Sequence, residues 1–447
     1  MDTSPNLLVG NGWLIAQDER QPLLKGGCVA ICGEQIAAIG ETAVLRSRYP
    51  HAEFIDARGG LIMPGLINTH MHLYSTFARG MALKDAAPGN FNQILERLWW
   101  RLDRVLTLED VYLSALVAMI DCIRNGTTTI FDHHSSPGAV EGSLFRIADA
   151  ARLTGIRSCL CYEVTDRDGA HVADQSIAEN QAFLRHCASS PESLLRGLFG
   201  LHASFTVRDA TLDRCVHAVR QLDAGFHVHV AEAHSDLDHC LREHGKRVVE
   251  RFRDHGVLGS RTVAAHCVHV NDHEIELLKE SQTLVVHNPE SNMGNAVGYA
   301  PVIDMMHRGV RVGLGSDGYS CDMFESLKVA NLLHKHQSGK PDAAWAEPPA
   351  MLFEQNATAA SQCFDRPVGK LVPGALADIV VADYDSPTPL TDANITGHLL
   401  FGVSGRSVQT TIVGGRVLMK DRELLHLDYT EAMLRAREAA ANVWDRF

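Results

Sequence analysis

An α/β chain is predicted: a (β/α)8 TIM-like barrel with a smaller β-sandwich domain built from both chain ends. Three observations predict it. The middle of the chain alternates strand-length apolar runs with longer segments of helical period, the texture of repeated βα units. Both ends read as short strands with Gly at the joints. The length of 447 residues suits a barrel of roughly 250 residues plus a smaller companion. With 45% hydrophobic and 21% charged residues a sizeable core is expected, and neither disorder nor a fibrous repeat is indicated.

Taken in order, residues 1–60 hold LLVGNGWLIA, GGCVAICGEQIAAIG and HAEFIDARGG, runs with period-two alternation that form the N-terminal part of the small β domain. Residues 61–365 form the catalytic barrel. Its strands are LIMPGLINTH (61–70), TTTIFD (127–132), GIRSCLCYEV (155–164), LLRGLFGLHA (194–203), GFHVHVAE (225–232), TVAAHCV (262–268), TLVVHNP (283–289) and VRVGLGSDG (310–318). Eight is the number that closes such a barrel. One intervening helix is well marked: Thr107 with Asp110 forms a capping box, an apolar face runs through Leu113, Leu116, Val117 and Ile120, and Gly126 supplies the stop. Residues 366–447 complete the small β domain with GALADIVVADY and SVQTTIVGGRVLMKDRE, where Gly414 and Gly415 read as a hairpin turn. A closing helix is expected over 429–447, where Ala and Arg recur at helical spacing.

A formal net charge of -13 argues against nucleic acid, whose phosphates need a clustered excess of Lys and Arg. The opening stretch lacks a basic region followed by a long apolar run, and no apolar segment approaches the ~18 residues of a membrane span; a cytoplasmic protein without a membrane partner is expected. Eleven cysteines, scattered and without C-x-x-C, fit reduced thiols rather than a disulfide framework. Cys28 and Cys32 sit among apolar residues and are read as packing.

The strands are apolar through their bodies and end in polar groups: His70 and His72, then Asp132, Glu163, His202, His229 with Glu232, His266, Asn288 and Asp317. In this barrel active sites sit at the C-terminal strand ends, so these groups would converge on one mouth. H-x-H at 70–72 can offer two imidazoles to one ion, because residues two apart on a strand point to the same side. The spacing recurs at 227–229 and 334–336; His334 and His336 lie with Lys335, Gln337 and Ser338 and read as a solvated helix end. His229 and Asp317 are the candidates that complete a nitrogen and oxygen site with one position left for water, the pattern of catalytic zinc or ferrous sites. Glu232, three residues beyond His229, suits proton transfer beside such a water. His266 suits its orientation, with His269 as competitor.

Other motifs fall away. GLGSDG at 313–318 satisfies G-x-G-x-x-G but closes the barrel rather than opening a βαβ unit. H-E-x-x-H is absent, Leu277 standing where the second His belongs. Neither P-C-x-x-C nor a G-x-S-x-G elbow occurs.

MPGLINTHMH, HVAE, AHC, HNPESNMGNAVGYAP, GLGSDG and GALADIVV together resemble the amidohydrolase superfamily in its aminoheterocycle deaminase branch, over essentially the whole chain. LWWRLDR, FDHHSSP, SNMGN and YDSPTPL resemble the SsnA-type aminohydrolases within it. The resemblance implies His70, His72, His229 and Asp317 as metal ligands, Glu232 as proton shuttle, and His266 as the group that fixes water or substrate. Binuclear relatives bridge two ions through a Lys at the end of strand four. PESLLRGLFGLHASFTV has none, so one divalent ion is expected, zinc with iron as the alternative, although Glu163 leaves a bridging carboxylate open. The expected reaction is hydrolytic deamination of a purine-, pterin- or triazine-like heterocycle with release of ammonia. His202, Asn288, Asp132 and His134 are the expected substrate contacts. Two rivals share the same residues: ring opening of a cyclic amide or amidine, and a non-catalytic metal-stabilised scaffold or regulatory partner. Trp99 and Trp100 read as core or as the interface anchor of a homo-oligomer.

Overall fold

In the computed structural model, which describes residues 4–18, 23–222 and 224–447, the eight apolar runs form two parallel sheets. One runs in the order Leu66–Met71, Thr127–His134, Arg157–Tyr162, Leu195–Gly197. The other runs Phe199–Ala203, Phe226–Val230, Val263–His266, Leu284–His287, Val312–Leu314. Nearly every residue of these strands is buried, which is why they read as continuous apolar runs rather than alternating ones. Parallel pairing demands long crossovers, and helices such as Leu108–Arg124, Ala170–Ser189 and Asp209–Arg220 supply them. The sheets meet at both borders through single parallel bridges, Val164 to Leu201 and Met71 to Asp317. At the second, the N–H groups of Ser316 and Asp317 donate to the His70 carbonyl at 3.1 and 3.0 Å.

Two runs break where periodicity kept them whole. Leu61–Pro64 pairs with Leu7–Ile15 and Ile379–Ala382, whereas Leu66–Met71 pairs with Thr127–His134. The chain changes sheets at Gly65, where a Cβ would overlap the Thr128 side chain. The fourth run splits at Leu198: Leu195–Gly197 pairs with Arg157–Tyr162, and Phe199–Ala203 with Phe226–Val230.

Both chain ends enter a single nine-stranded sheet. Its path is Glu423–Leu424, Arg416–Lys420, Val408–Val413, Ile379–Ala382, Leu61–Pro64, Leu7–Ile15, Leu23–Cys32 and Gln35–Glu41, with Glu53–Asp56 paired to Leu7–Ile15. Gly414 and Gly415 turn the expected hairpin with φ of 54° and 72°, the doubly positive pair of a type I′ turn. Arg157 ties this sheet to the parallel strands, its Nε and Nη2 donating to Asp378 Oδ2 and Oδ1 at 2.8 and 3.0 Å.

The Thr107 and Asp110 capping box forms as expected, and the closing helix runs Tyr429–Arg446. Cys28 packs beside Leu8, Ala30 and Leu45, and none of the eleven cysteines forms a disulfide. His334 departs from expectation. Although its neighbours His336 and Gln337 are exposed, it turns inward on the helix Met323–Ser338 and meets His287 at 3.1 Å between Nε2 atoms. Among the described residues no helix is long and apolar enough to cross a membrane.

Candidate metal centre and substrate cavity

Four imidazoles meet at the C-terminal ends of the parallel strands, each with Nδ1 engaged and Nε2 turned to a common point. His72 Nδ1 donates to the His133 carbonyl at 2.6 Å, and His229 Nδ1 to the His202 carbonyl at 2.9 Å. His266 Nδ1 donates to Asn292 Oδ1 at 2.9 Å, and His70 Nδ1 pairs with His227 Nε2 at 2.8 Å. Locking one ring nitrogen leaves the other free as a ligand. His72 and His229 Nε2 then face each other at 3.3 Å, and Asp317 Oδ1 lies 3.1 Å from His72 Nε2. His70 and His266 Nε2 are buried without a hydrogen-bond partner. Lone pairs aimed at one another inside a protein require a positive charge between them.

The electrostatics agree. Burial, reinforced by neighbouring imidazoles, holds His70 and His229 well below the ordinary histidine range. Burial also opposes charge on His72, but its hydrogen bond to Asp317 and that carboxylate's charge push it up to about 9. Burial would raise Asp317, yet the His72 bond and charge hold it well below the usual carboxylate range. A proton on His72 thus does what a cation would do. His70, His72 and His229 each offer a ligand atom within 4.8 Å of the others, as do His70, His266 and Asp317, and also His133, Glu163 and His229. The chemistry of the first two groups fits a divalent ion.

Backbone geometry aims these groups. Ala231, His266, Cys267 and Asp317 adopt φ of 45°, 73°, 49° and 55° at the strand ends. Left-handed conformations cost non-glycine residues about 1–3 kcal/mol each and cluster at functional sites. Asp317 also accepts from Ser291 Oγ at 2.5 Å and from Gly318 N at 2.8 Å.

Above this point opens a cavity with His72, His229, Glu232 and Asp317 at its floor. Its walls are aromatic: Tyr74, Phe91, Trp99, Trp100, Phe205 and Tyr319. Glu232 Oε2 is 3.6 Å from His266 Nε2. Burial, with Asp317's charge, raises Glu232 to about 7 against the pull of His266, close to where a proton carrier works best.

The expected metal ligands, Glu232 and His266 all come together. Of the expected substrate contacts, His202 lines the cavity. Asp132, His134 and Asn288 do not: Asp132 accepts from Leu73 N at 2.8 Å, His134 Nε2 pairs with Ser136 Oγ at 2.9 Å, and Asn288 Nδ2 lies behind His266 at 3.5 Å from its Nδ1. His269, the competitor, donates to the Val297 carbonyl at 2.9 Å. Trp99 and Trp100, read as core or as an interface anchor, line the cavity, and Trp99 also packs against the core. Glu163, read as a strand-end carboxylate that could bridge two ions, also lines the cavity.

Parallel strands that carry imidazoles and a carboxylate to one cation-seeking point, under an aromatic cavity, define a metal-dependent hydrolase. Residues 61–418 match the amidohydrolase family, and the chain belongs to that family. It is 33% identical over 442 residues to the 5'-deoxyadenosine deaminase of Methanosarcina mazei, covering 97% of this chain and 98% of the relative. It is 31% identical over 448 residues to the 5-methylthioadenosine/S-adenosylhomocysteine deaminase of Thermoanaerobacter pseudethanolicus, covering 99% and 100%. Its fold is that of an adenosine deaminase from Xanthomonas campestris solved with bound zinc, with a TM-score of 0.88 at 24% identity and 98% of each chain covered. The expectation of an amidohydrolase of the aminoheterocycle deaminase branch, a hydrolase of C–N bonds, is borne out.

Proposed function

We propose that this protein removes an amino group from an N-heterocycle by hydrolysis and releases ammonia, using one divalent ion held by His70, His72, His229 and Asp317. The observation that carries the proposal is the facing of His72 and His229 Nε2 atoms 3.3 Å apart, beside the buried, unpartnered Nε2 atoms of His70 and His266, at the floor of an aromatic cavity that Glu232 also lines. Such an ion, when bound, supplies Lewis-acid activation of a water. Glu232 takes a proton from the water and delivers it to the ring nitrogen beside the amino-bearing carbon. His266, fixed by Asn292, orients the attacking oxygen together with Asp317. The hydroxyl now on the carbon gives up its own proton, which Glu232 passes to the amino group. The C–N bond breaks, oxygen stays on the carbon as a carbonyl, the ring nitrogen keeps the first proton, and ammonia leaves. The aromatic walls hold a flat ring by stacking.

One ion rather than two is supported by His133. Its Nε2 faces the carbonyls of Leu201 and His227 at 3.1 Å each, and its Nδ1 lies 3.3 Å from Glu163; a second ion there would have to break that pair. Zinc is preferred over iron because the Xanthomonas neighbour carries zinc. The bordering bridges support closure of the two parallel sheets into one (β/α)8 barrel over 61–365. The nine-stranded sheet, from 1–60 and 366–447 together with Leu61–Pro64, is proposed to fold on itself as a sandwich, since Leu7, Val29 and Ile55 share a core with Ile379, Val381 and Ile412. Eleven cysteines without a disulfide support a cytoplasmic location, and the net charge of -13 a small-molecule partner rather than nucleic acid.

The test is ammonia release from aminopurines, aminopterins and aminotriazines by zinc- or iron-loaded protein. Release from any of them is expected. Ring opening without ammonia would identify a cyclic amide or amidine hydrolase, and stoichiometric metal without turnover a scaffold.

A further inference from the structure

We infer that the final turn of the closing helix, through Trp444 and Phe447, positions the aromatic wall of the substrate cavity and so sets the affinity for the ring. The effect on turnover rests on the deaminase assignment above; the grip itself is testable without turnover.

The wall needs anchors from outside. Between the strand Leu66–Met71 and the helix Leu108–Arg124 the chain makes an excursion that supplies Tyr74, Ser75, Phe91, Leu95, Trp99 and Trp100 to the cavity. Residues 79–90 of this excursion contain no helix or strand. The rest is a 3-10 turn, Leu73–Ala78, and a helix over 91–105 whose middle, Leu95–Trp99, is wound in the wider π form. Helices this short are marginal on their own, and an irregular stretch of such length takes its shape from tertiary contacts.

The closing helix makes those contacts. It is itself fixed: Ala432, Ala436, Ala439 and Val443 are its buried face, and Arg435 and Arg446 pair with Glu109 and Asp110 at the start of Leu108–Arg124. From its final turn, Trp444 Nε1 donates to the Phe77 carbonyl at 2.7 Å, in the 3-10 turn that carries Tyr74 and Ser75. Three residues on, the Phe447 main-chain oxygen accepts from Arg101 Nη2 at 2.9 Å, and the Arg101 guanidinium lies over the Phe447 ring, 4.3 Å from its centroid. Arg101 directly follows Trp99 and Trp100, and it also pairs with Asp85 in the irregular stretch. One helical turn thus grips the excursion near both ends and, through Arg101, in its middle.

Neither Trp444 nor Phe447 lines the cavity; both are positioning residues that act through the wall. The barrel holds the same helix from another direction: Arg104 Nε donates to Asp168 Oδ1 at 2.7 Å, and the Arg167 guanidinium lies 5.3 Å from the centroid of the Trp100 ring. With both grips in place the ring planes are set before a ligand arrives, so no binding energy is spent on ordering them. Loosening the closing-helix grip costs affinity and raises KM. The metal floor stands on parallel strands that the closing helix does not build, so kcat persists.

The test uses zinc-loaded full-length protein and three variants: Trp444→Phe, which keeps the packing and removes the N–H, Phe447→Leu, which keeps apolar bulk and removes the ring face, and the two combined. Trypsin cleavage after Arg79 and Lys84, both exposed in the irregular stretch, reads the grip directly. It should run about 2- to 10-fold faster in each single variant and faster still in the double, with zinc content, melting temperature and cleavage elsewhere unchanged. On the amino-substituted ring turned over fastest, the double variant should raise KM about 3- to 10-fold and leave kcat within about twofold. Unchanged cleavage after Arg79 and Lys84, acceleration spread evenly over the chain, an unchanged KM, or a fall in kcat at constant KM would overturn the inference. No ammonia from any ring with the unaltered protein would instead sink the deaminase assignment, and the trypsin readout would still decide the grip.

Discussion

The floor of the cavity and the junction between the parallel strands and the nine-stranded sheet bury the same kinds of groups to opposite effect. At the junction, Arg157 and Asp378 are 1% and 0% exposed in their side chains. Asp378 takes both guanidinium bonds and the Gly414 N–H at 2.7 Å, and Arg157 Nη1 donates to the Ser193 carbonyl at 2.7 Å. None of these side-chain atoms is left unpaired. At the floor, His70 Nε2 and His266 Nε2 are buried with nothing to bond. Each unpaired group costs about 1–3 kcal/mol, and a fold keeps such a cost where something else will bind.

That contrast can be broken experimentally, and the largest effect should come from the floor itself. Asp317→Ala should reduce bound metal, measured by elemental analysis, from about one equivalent to near zero and abolish turnover. Retention of full metal would put the ligand set elsewhere. Glu232→Gln should keep the metal and lower kcat by about 10²- to 10⁴-fold.

The same carboxylate sets the pH dependence. Glu232 must be ionised to accept a proton, and burial raises it to about 7; kcat/KM should therefore fall about tenfold per unit of pH below its titration. A bound cation moves that limb to lower pH, and a profile that climbs toward acid would assign the proton transfer to another group. The junction should respond differently. Arg157→Met should cost about 3–5 kcal/mol in urea unfolding, because a buried carboxylate loses its partner, while metal content per folded molecule stays the same. The smallest effect is expected behind the floor: His227→Phe removes the partner of His70 Nδ1 and should weaken metal affinity about 10- to 100-fold, read by competition with a chelator.

The sequence by itself determined where the apolar runs of the parallel strands lie and which ionisable residues close them, though not where two of those runs break. A continuous apolar run ending in His, Asp or Glu carries its own boundary, and H-x-H at 70–72 carries its own geometry, since alternation sends both imidazoles to one side. Partnership was settled only in three dimensions. His70 meets His227 across 157 positions, and His334 leaves its polar neighbours for His287. Trp99 and Trp100 wall a cavity whose floor comes from strands elsewhere in the chain. Asp132, His134 and Asn288 end strands as legibly as His202 does, yet only His202 reaches the cavity. Periodicity tells which side of a strand a residue takes, but whether that side meets empty space or another side chain depends on what the rest of the chain brings there.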